Sequence, residues 1–397
     1  MLLKNISLFC MAICCTMLLP KNVDAAKRAS VLELRVGKEV HTGRLEAKNS
    51  GTAWLMNRDG KLEQVTLSKV TKFRKVSSRF KPQSARELRR SLARELGNKY
   101  EMASRGSYLI AAPKGRAKQY AAIFDDMHRS FQHYFSTRGF RIPKPEFPLV
   151  AIVFRTQTEF VAYTKKDHFK AIQGLAGYYY PKSNRVALYE SRSRTAFYPS
   201  QNHSVARNQN SNDEMTLGNH FNWYGKARGR SSTNRTLRDT MVHEATHQIA
   251  YNVGLHSRMG ETPRWMVEGL ATMLEPEGAR RNSRSGSAMK RINHQRYLRF
   301  MDFAKNRRKE KSLKSFIESE TLYQTNVLDF YAQSWGLSFY LAETQPRKYS
   351  KYLKTIASRP PLSKYSKSER LADFEKVFGK KIDWMEVGFL RYMKRLK

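Results

Sequence analysis

The stretch Met241-Val242-His243-Glu244-Ala245-Thr246-His247-Gln248, set among helical signals on both sides, constrains this chain more than any other. A helix turns residues i and i+4 to one face, so His243 and His247 can reach one Zn²⁺ while Glu244 approaches a water beside it. Two histidines alone also fit an ordinary helix surface, and a third ligand decides between the two. The next helix start is legible: Thr262 suits an N-cap and Pro263 the first helical position. Arg264-Trp265-Met266-Val267-Glu268-Gly269-Leu270-Ala271 follows and offers Glu268.

This pair of segments resembles the gluzincin zinc peptidases, the thermolysin and aminopeptidase superfamily, in which the helix after the His-Glu-x-x-His helix supplies a glutamate ligand. The aminopeptidase-like branch follows that glutamate with glycine, an apolar residue and alanine, matched by Glu268-Gly269-Leu270-Ala271, and carries a further glutamate matched by Glu275. The thermolysin branch wants an aspartate where Thr272 stands. Metzincins want glycine in place of Ala250 and a third histidine at a spacing His256 does not meet, so the chain departs from both.

The resemblance implies His243, His247 and Glu268 as ligands of one zinc ion, with Glu244 as general base. Three protein ligands and one open position are the arrangement of a catalytic site. It also implies an acceptor that orients a ligand histidine, either Glu275 or Asp239, one turn before His243. An oxyanion donor from a later helix is matched to Tyr331, ahead of Tyr323 and His294. More narrowly, the chain is similar to a group of exported bacterial proteins with an uncharacterised peptidase-like domain. That likeness rests on Arg264-Trp265, Glu268 to Ala271, and Tyr331 to Leu341, and spans roughly residues 85–395. It implies a fold and a metal site and no substrate. The other histidines, among them His128, His133 and His220, read as packing or solvent-facing residues, and Trp265 and Met266 as core.

The expected fold class is α+β: a zincin-like domain with a mainly helical C-terminal half, after a small β-rich unit at 26–80. Residues 31–75 alternate short β-type runs, with Asp59-Gly60 where a tight hairpin turn is wanted. This unit resembles the small SH3-like barrels of some exported proteins; a β-meander packed on the main domain is the other reading. Residues 85–235 read as the α+β half. Helices are expected over Ser84–Leu96 and Arg116–Arg138, and strands over Tyr108–Ala112, Pro148–Phe154, Tyr178–Tyr180 and Asn184–Tyr189. Residues 191–235, rich in Ser, Asn and Arg, read as a long loop leading into the metal helix, with glycines suited to a lid. Helical patterns fill 236–397, broken at Pro276 and Pro360-Pro361.

The N-terminus reads as an export signal over residues 1–25: Lys4, an apolar run from Ile6 to Leu19, and Val23-Asp24-Ala25 before the cut. The run is too short to span a membrane, and no later segment comes closer, so the mature chain is expected without a transmembrane segment, in the periplasm, cell envelope or medium. Cys10, Cys14 and Cys15 all lie in this leader, which leaves no thiol for catalysis, zinc or disulfides.

Across the chain, 73 Lys and Arg against 34 Asp and Glu give a net charge of +39. That predicts attraction to polyanions, with anionic envelope polymers the expected partner of an exported protein beside its peptide or protein substrate. No nucleic-acid motif is present, and the clusters Arg280-Arg281, Lys290-Arg291 and Arg307-Arg308-Lys309 read as solvated helix faces. Two further readings stay open: a zinc-binding pseudoenzyme serving as an envelope scaffold or adhesion module, and a polyanion-binding structural protein with incidental histidines.

Overall fold

The computed structural model describes residues 30–167, 169, 175–190, 232–281 and 288–396. The expected leader over 1–25 and His220 lie outside them. So does the expected loop up to residue 231, while 232–235, read as its end, already belong to a helix. The architecture is α+β, with β-rich sheets first and a mainly helical C-terminal half, as the sequence led us to expect. The chain divides into two compact units, one ending at Pro82 and the other beginning at Gln83.

The first unit is one antiparallel sheet of β1 (Val31–Val36), β2 (Glu39–Lys48), β3 (Thr52–Met56), β4 (Leu62–Thr66) and β5 (Lys72–Ser77), in the order β4-β3-β2-β1-β5. Asp59-Gly60 does sit in the β3–β4 hairpin. Gly60 takes φ 86°, which an L side chain resists, and its amide donates to the Asn57 carbonyl at 2.9 Å. Leu34, Ala53, Leu55 and Val65 form a small core, each from an inward position of its strand.

The second unit is built on a mixed sheet of β6 (Tyr100–Arg105), β7 (Tyr108–Pro113), β8 (Leu149–Phe154), β9 (Gly177–Tyr180) and β10 (Arg185–Tyr189), ordered β6-β7-β8-β10-β9. β7, β8 and β10 run parallel, while β6 and β9 are antiparallel margins. The parallel strands are apolar on both faces, as a sheet covered on both sides requires. Leu149, Ala151 and Val153 of β8 face the same core as α2 (Ala117–Ser136). Val150, Ile152 and Phe154 face the core shared with α1 (Ala85–Leu96) and α3 (Gln157–Lys166). Sequence reading missed β6 and α3. β6 buries only Ala103, and α3 buries only Phe160, Tyr163 and Thr164, so neither shows a clear period.

The helical half starts with α4 (Ser232–Asn252), whose Met241, Val242, Ala245 and Ile249 join the α2 side of the sheet core. Gln248 fixes it against the sheet, its Nε2 donating to the Val150 and Asn184 carbonyls at 2.9 Å each. Asn184, at φ 58°, closes the β9–β10 turn in a conformation asparagine tolerates. After α4 come α5 (Arg264–Leu274), α6 (Glu277–Arg281), α7 (His294–Asn306), α8 (Leu313–Glu318), α9 (Thr321–Thr325), α10 (Val327–Thr344), α11 (Pro346–Ala357), α12 (Lys367–Phe378) and α13 (Ile382–Arg395). No described helix is long and apolar enough to cross a membrane.

α5 begins one residue later than expected. Pro263, not Thr262, is the N-cap, with ψ 128° and its carbonyl taking the Met266 amide at 2.9 Å. Proline suits that place because no helical bond needs its missing N–H. α5 is buried from Trp265 to Leu274 and packs on α10 almost backbone to backbone: a Cβ on Gly269 would strike the Ser338 hydroxyl and the Ser334 carbonyl. Trp265 lies among Phe316, Tyr352 and Phe374, and Met266 is fully buried, so both are core.

The basic clusters are not simply solvated faces. Arg291 donates from Nη2 to Glu343 Oε2 at 2.6 Å, Arg308 from Nη1 to Glu386 Oε1 at 2.6 Å, and Arg280 to the Leu274 carbonyl at 3.0 Å. The carboxylates of Glu343 and Glu386 recruit Arg291 and Arg308, and main-chain carbonyls recruit Arg280, as tertiary partners, which linear spacing does not reveal.

Candidate metal centre

α4 presents His243 and His247 on its inward face, and α5 brings Glu268 to meet them; all three are buried, at 5 %, 1 % and 1 % exposure. The two Nε2 atoms lie 3.0 Å apart, and Glu268 Oε2 is 3.4 Å from that of His243 and 3.8 Å from that of His247. Ligands bound tetrahedrally at about 2.0–2.1 Å stand roughly 3.3 Å from one another, so this triad has the dimensions of one zinc ion's ligand set. The donor types agree, two imidazole nitrogens and a carboxylate oxygen with a fourth position left over.

Supporting bonds fix His243. His243 donates its Nδ1–H to Glu275 Oε1 at 2.8 Å, which turns the Nε2 lone pair toward His247 and Glu268. Glu275, the C-cap of α5, is held in turn by Asn293 Nδ2 at 2.7 Å, and the same amide donates to the Thr272 carbonyl at 3.0 Å. Arg280 donates to the Leu274 and Glu275 carbonyls, filling the places of amides that the end of α5 lacks. Burial pushes the His243 imidazole down, but hydrogen bonds to Glu268 and Glu275 and the charges of Glu244 and Glu275 outweigh it and lift it to about 10. A metal ion therefore competes with a tightly held proton at this ring. Of the two candidates for the orienting acceptor, Glu275 occupies the place at His243 Nδ1; the Asp239 charge acts on Arg280.

Replacing Glu275 by glutamine removes that charge and turns an amide donor toward Asn293. For a metal ion held at this triad, we expect the affinity to fall roughly 10- to 100-fold, the loss typical when the orienting partner of a ligand histidine is removed. Competition against a chromophoric chelator measures it, and an unchanged affinity means Glu275 does not act through His243.

Glu244, 1 % exposed, is anchored from the sheet: the Tyr179 amide of marginal strand β9 donates to its Oε2 at 2.8 Å. A backbone donor leaves no motif in a sequence. Tyr331 stands on α10, 1 % exposed, and its hydroxyl has no hydrogen-bond partner among the described residues. Burial, then the charge of Glu268, raise that phenol well above its usual range, so it stays protonated. Tyr323 is half-buried under Arg264, whose Cζ is 4.1 Å from the ring centroid, and His294 is exposed at the start of α7. His256, buried against Tyr251, is pushed down to about 4 by desolvation and stays neutral; it is no member of the triad. His128 is buried and His133 exposed.

Sequence reading missed Asn293 and Arg296. Asn293 carries a local signal, an N-cap asparagine whose Oδ1 accepts the Arg296 amide at 3.3 Å. Arg296 carries none.

A family model described as "Protein of unknown function (DUF1570)" matches residues 238–363, a stretch that contains the triad, Glu244, Glu275 and Tyr331. The comparison with curated proteins finds no match to the chain.

Proposed function

We propose that this protein is a zinc-dependent peptidase, exported from the cell that makes it. The observation that carries the reading is the buried His243–His247–Glu268 triad with a second carboxylate, Glu244, between its two histidines in sequence. A zinc ion held there supplies Lewis acidity and an activated water.

The chain's own residues do the rest. Glu244, held at Oε2 by the Tyr179 amide, accepts the proton of the attacking water and hands it to the leaving amine. Its low exposure keeps bulk water from competing for that proton. Tyr331, protonated and without an acceptor among the described residues, donates to the oxyanion formed at the scissile carbonyl. Glu275 keeps the His243 ring oriented throughout. No thiol lies beyond the leader, and the proposed route forms no covalent intermediate.

The leader at 1–25 supports the exported location, and the charge of +39 supports an anionic envelope polymer as a second partner. The test is a peptide-library digestion by the mature chain. Cleavage that stops on chelation and returns with zinc is the expected result; zinc-loaded, folded protein that cleaves nothing in the library removes the peptidase reading and leaves a metal-binding module.

A further inference from the structure

Five arginines of the described residues are buried. Four of them donate to a protein acceptor: Arg44 to Glu46, Arg185 to Glu95, Arg280 to main-chain carbonyls and Arg291 to Glu343. Arg296, 5 % exposed, is the fifth. Its side chain makes no hydrogen bond and no ion pair with a described residue, and its Nε is fully buried without a partner. Its guanidinium lies over the face of Tyr331, with Cζ 5.1 Å from the ring centroid.

Its position makes that isolation more unfavourable. Arg296 lies in the first turn of α7, where unpaired amides and the helix dipole already concentrate positive charge. A guanidinium taken out of water there calls for an anion. The start of α7 also adjoins the metal centre, because its N-cap Asn293 holds Glu275, which holds His243. The ring under the guanidinium belongs to Tyr331, whose hydroxyl likewise lacks an acceptor among the described residues. Two buried donors, neither with an acceptor among the described residues, thus stand together beside the triad.

We propose that Arg296, seated over the ring of Tyr331, is a carboxylate-recognition subsite that receives a carboxylate of the bound peptide, either its free C-terminus or an acidic side chain. This rests on the peptidase reading. Arginine suits the task because its fork of N–H groups matches the two oxygens of a carboxylate. It also selects: a neutral amide in the same place leaves the buried guanidinium unanswered, so it binds more weakly.

The experiment uses the zinc-loaded Glu244→Gln protein and three N-acetylated alanine peptides of one length, titrated by calorimetry. One has a free C-terminal carboxylate, one is amidated, and one is amidated with a single internal glutamate. At least tenfold tighter binding of a carboxylate peptide over the neutral amide is expected. The free acid leading identifies C-terminal recognition, and the glutamate peptide leading identifies an acidic side chain. Arg296→Gln should abolish the preference with zinc content unchanged, and Arg296→Lys should keep part of it, which a packing role does not explain.

Equal dissociation constants for the three peptides overturn the proposal, as does binding of none, or a preference that survives Arg296→Gln. Should the glutamine variant not fold, the wild-type comparison and the lysine variant still decide. Cleavage of all three peptides by the wild-type protein with equal kcat/KM removes this inference and spares the peptidase reading; a carboxylate preference in binding without any cleavage does the reverse.

Discussion

Replacing Glu244 by glutamine is expected to lower kcat for peptide hydrolysis by roughly 10²- to 10⁴-fold, the span that a positioned general base contributes. Zinc content should not change. Glutamine has nearly the shape of glutamate, and its Oε1 can still accept the Tyr179 amide that now meets Glu244 Oε2 at 2.8 Å, so the side chain has reason to keep its place. What it loses is the capacity to take a proton. The three ligand side chains are untouched. Two measurements on one preparation separate the roles: metal analysis and a progress curve. A kcat within about threefold of wild type contradicts the general-base role, and a loss of zinc shows that Glu244 serves the binding of the ion.

The double variant His243→Ala/His247→Ala is expected to take the metal content of the mature protein, residues 26–397, from near stoichiometric to near zero. Both imidazole donors vanish, and one carboxylate cannot hold zinc against water. Stability should follow. The triad gathers Glu268 beside Glu244 and Glu275 in a buried setting, and a cation there offsets their mutual repulsion. A ligand present at a thousandfold excess over its Kd stabilises the folded state by about 4 kcal/mol. Chelation should therefore lower the Tm of the native protein and leave that of the double variant unmoved. If neither protein contains zinc, with folding intact and metal supplied during preparation, the enzyme reading falls and the basic surface becomes the main clue.

What the sequence made legible was whatever the physics confines to a short stretch. His243, Glu244 and His247 sit within two turns of one helix, so their shared face follows from helical geometry alone. Glu268 was legible because Pro263 marks a helix start just before it, although the helix begins one residue past the expected place. The parallel strands announced themselves by apolar runs such as Leu149 to Phe154, buried on both faces. The marginal strand β6 stayed hidden because most of it is in partial contact with water. Asn293, Arg296 and the Tyr179 amide reach the site from other parts of the chain, and only tertiary packing gives them a role. The arginines of the basic clusters misled for the same reason: Arg291 and Arg308 look like surface charge until Glu343 and Glu386 are placed beside them.

The approach of α5 to α10 at Gly269 bears on how the site moves. With nothing larger than the Ser338 hydroxyl between the two backbones at that point, little soft material exists to absorb a relative displacement, and close-packed contacts transmit it instead. Glu268 is the residue just before this contact, and Tyr331 lies on the partner helix less than two turns before Ser338. Their separation is therefore stiff on the nanosecond scale of side-chain motion and changes only when the helix pair loosens as a unit, an event of the slower, sub-global class. Warming such a site should blur it abruptly, in step with the helix pair, and not by degrees, one side chain at a time.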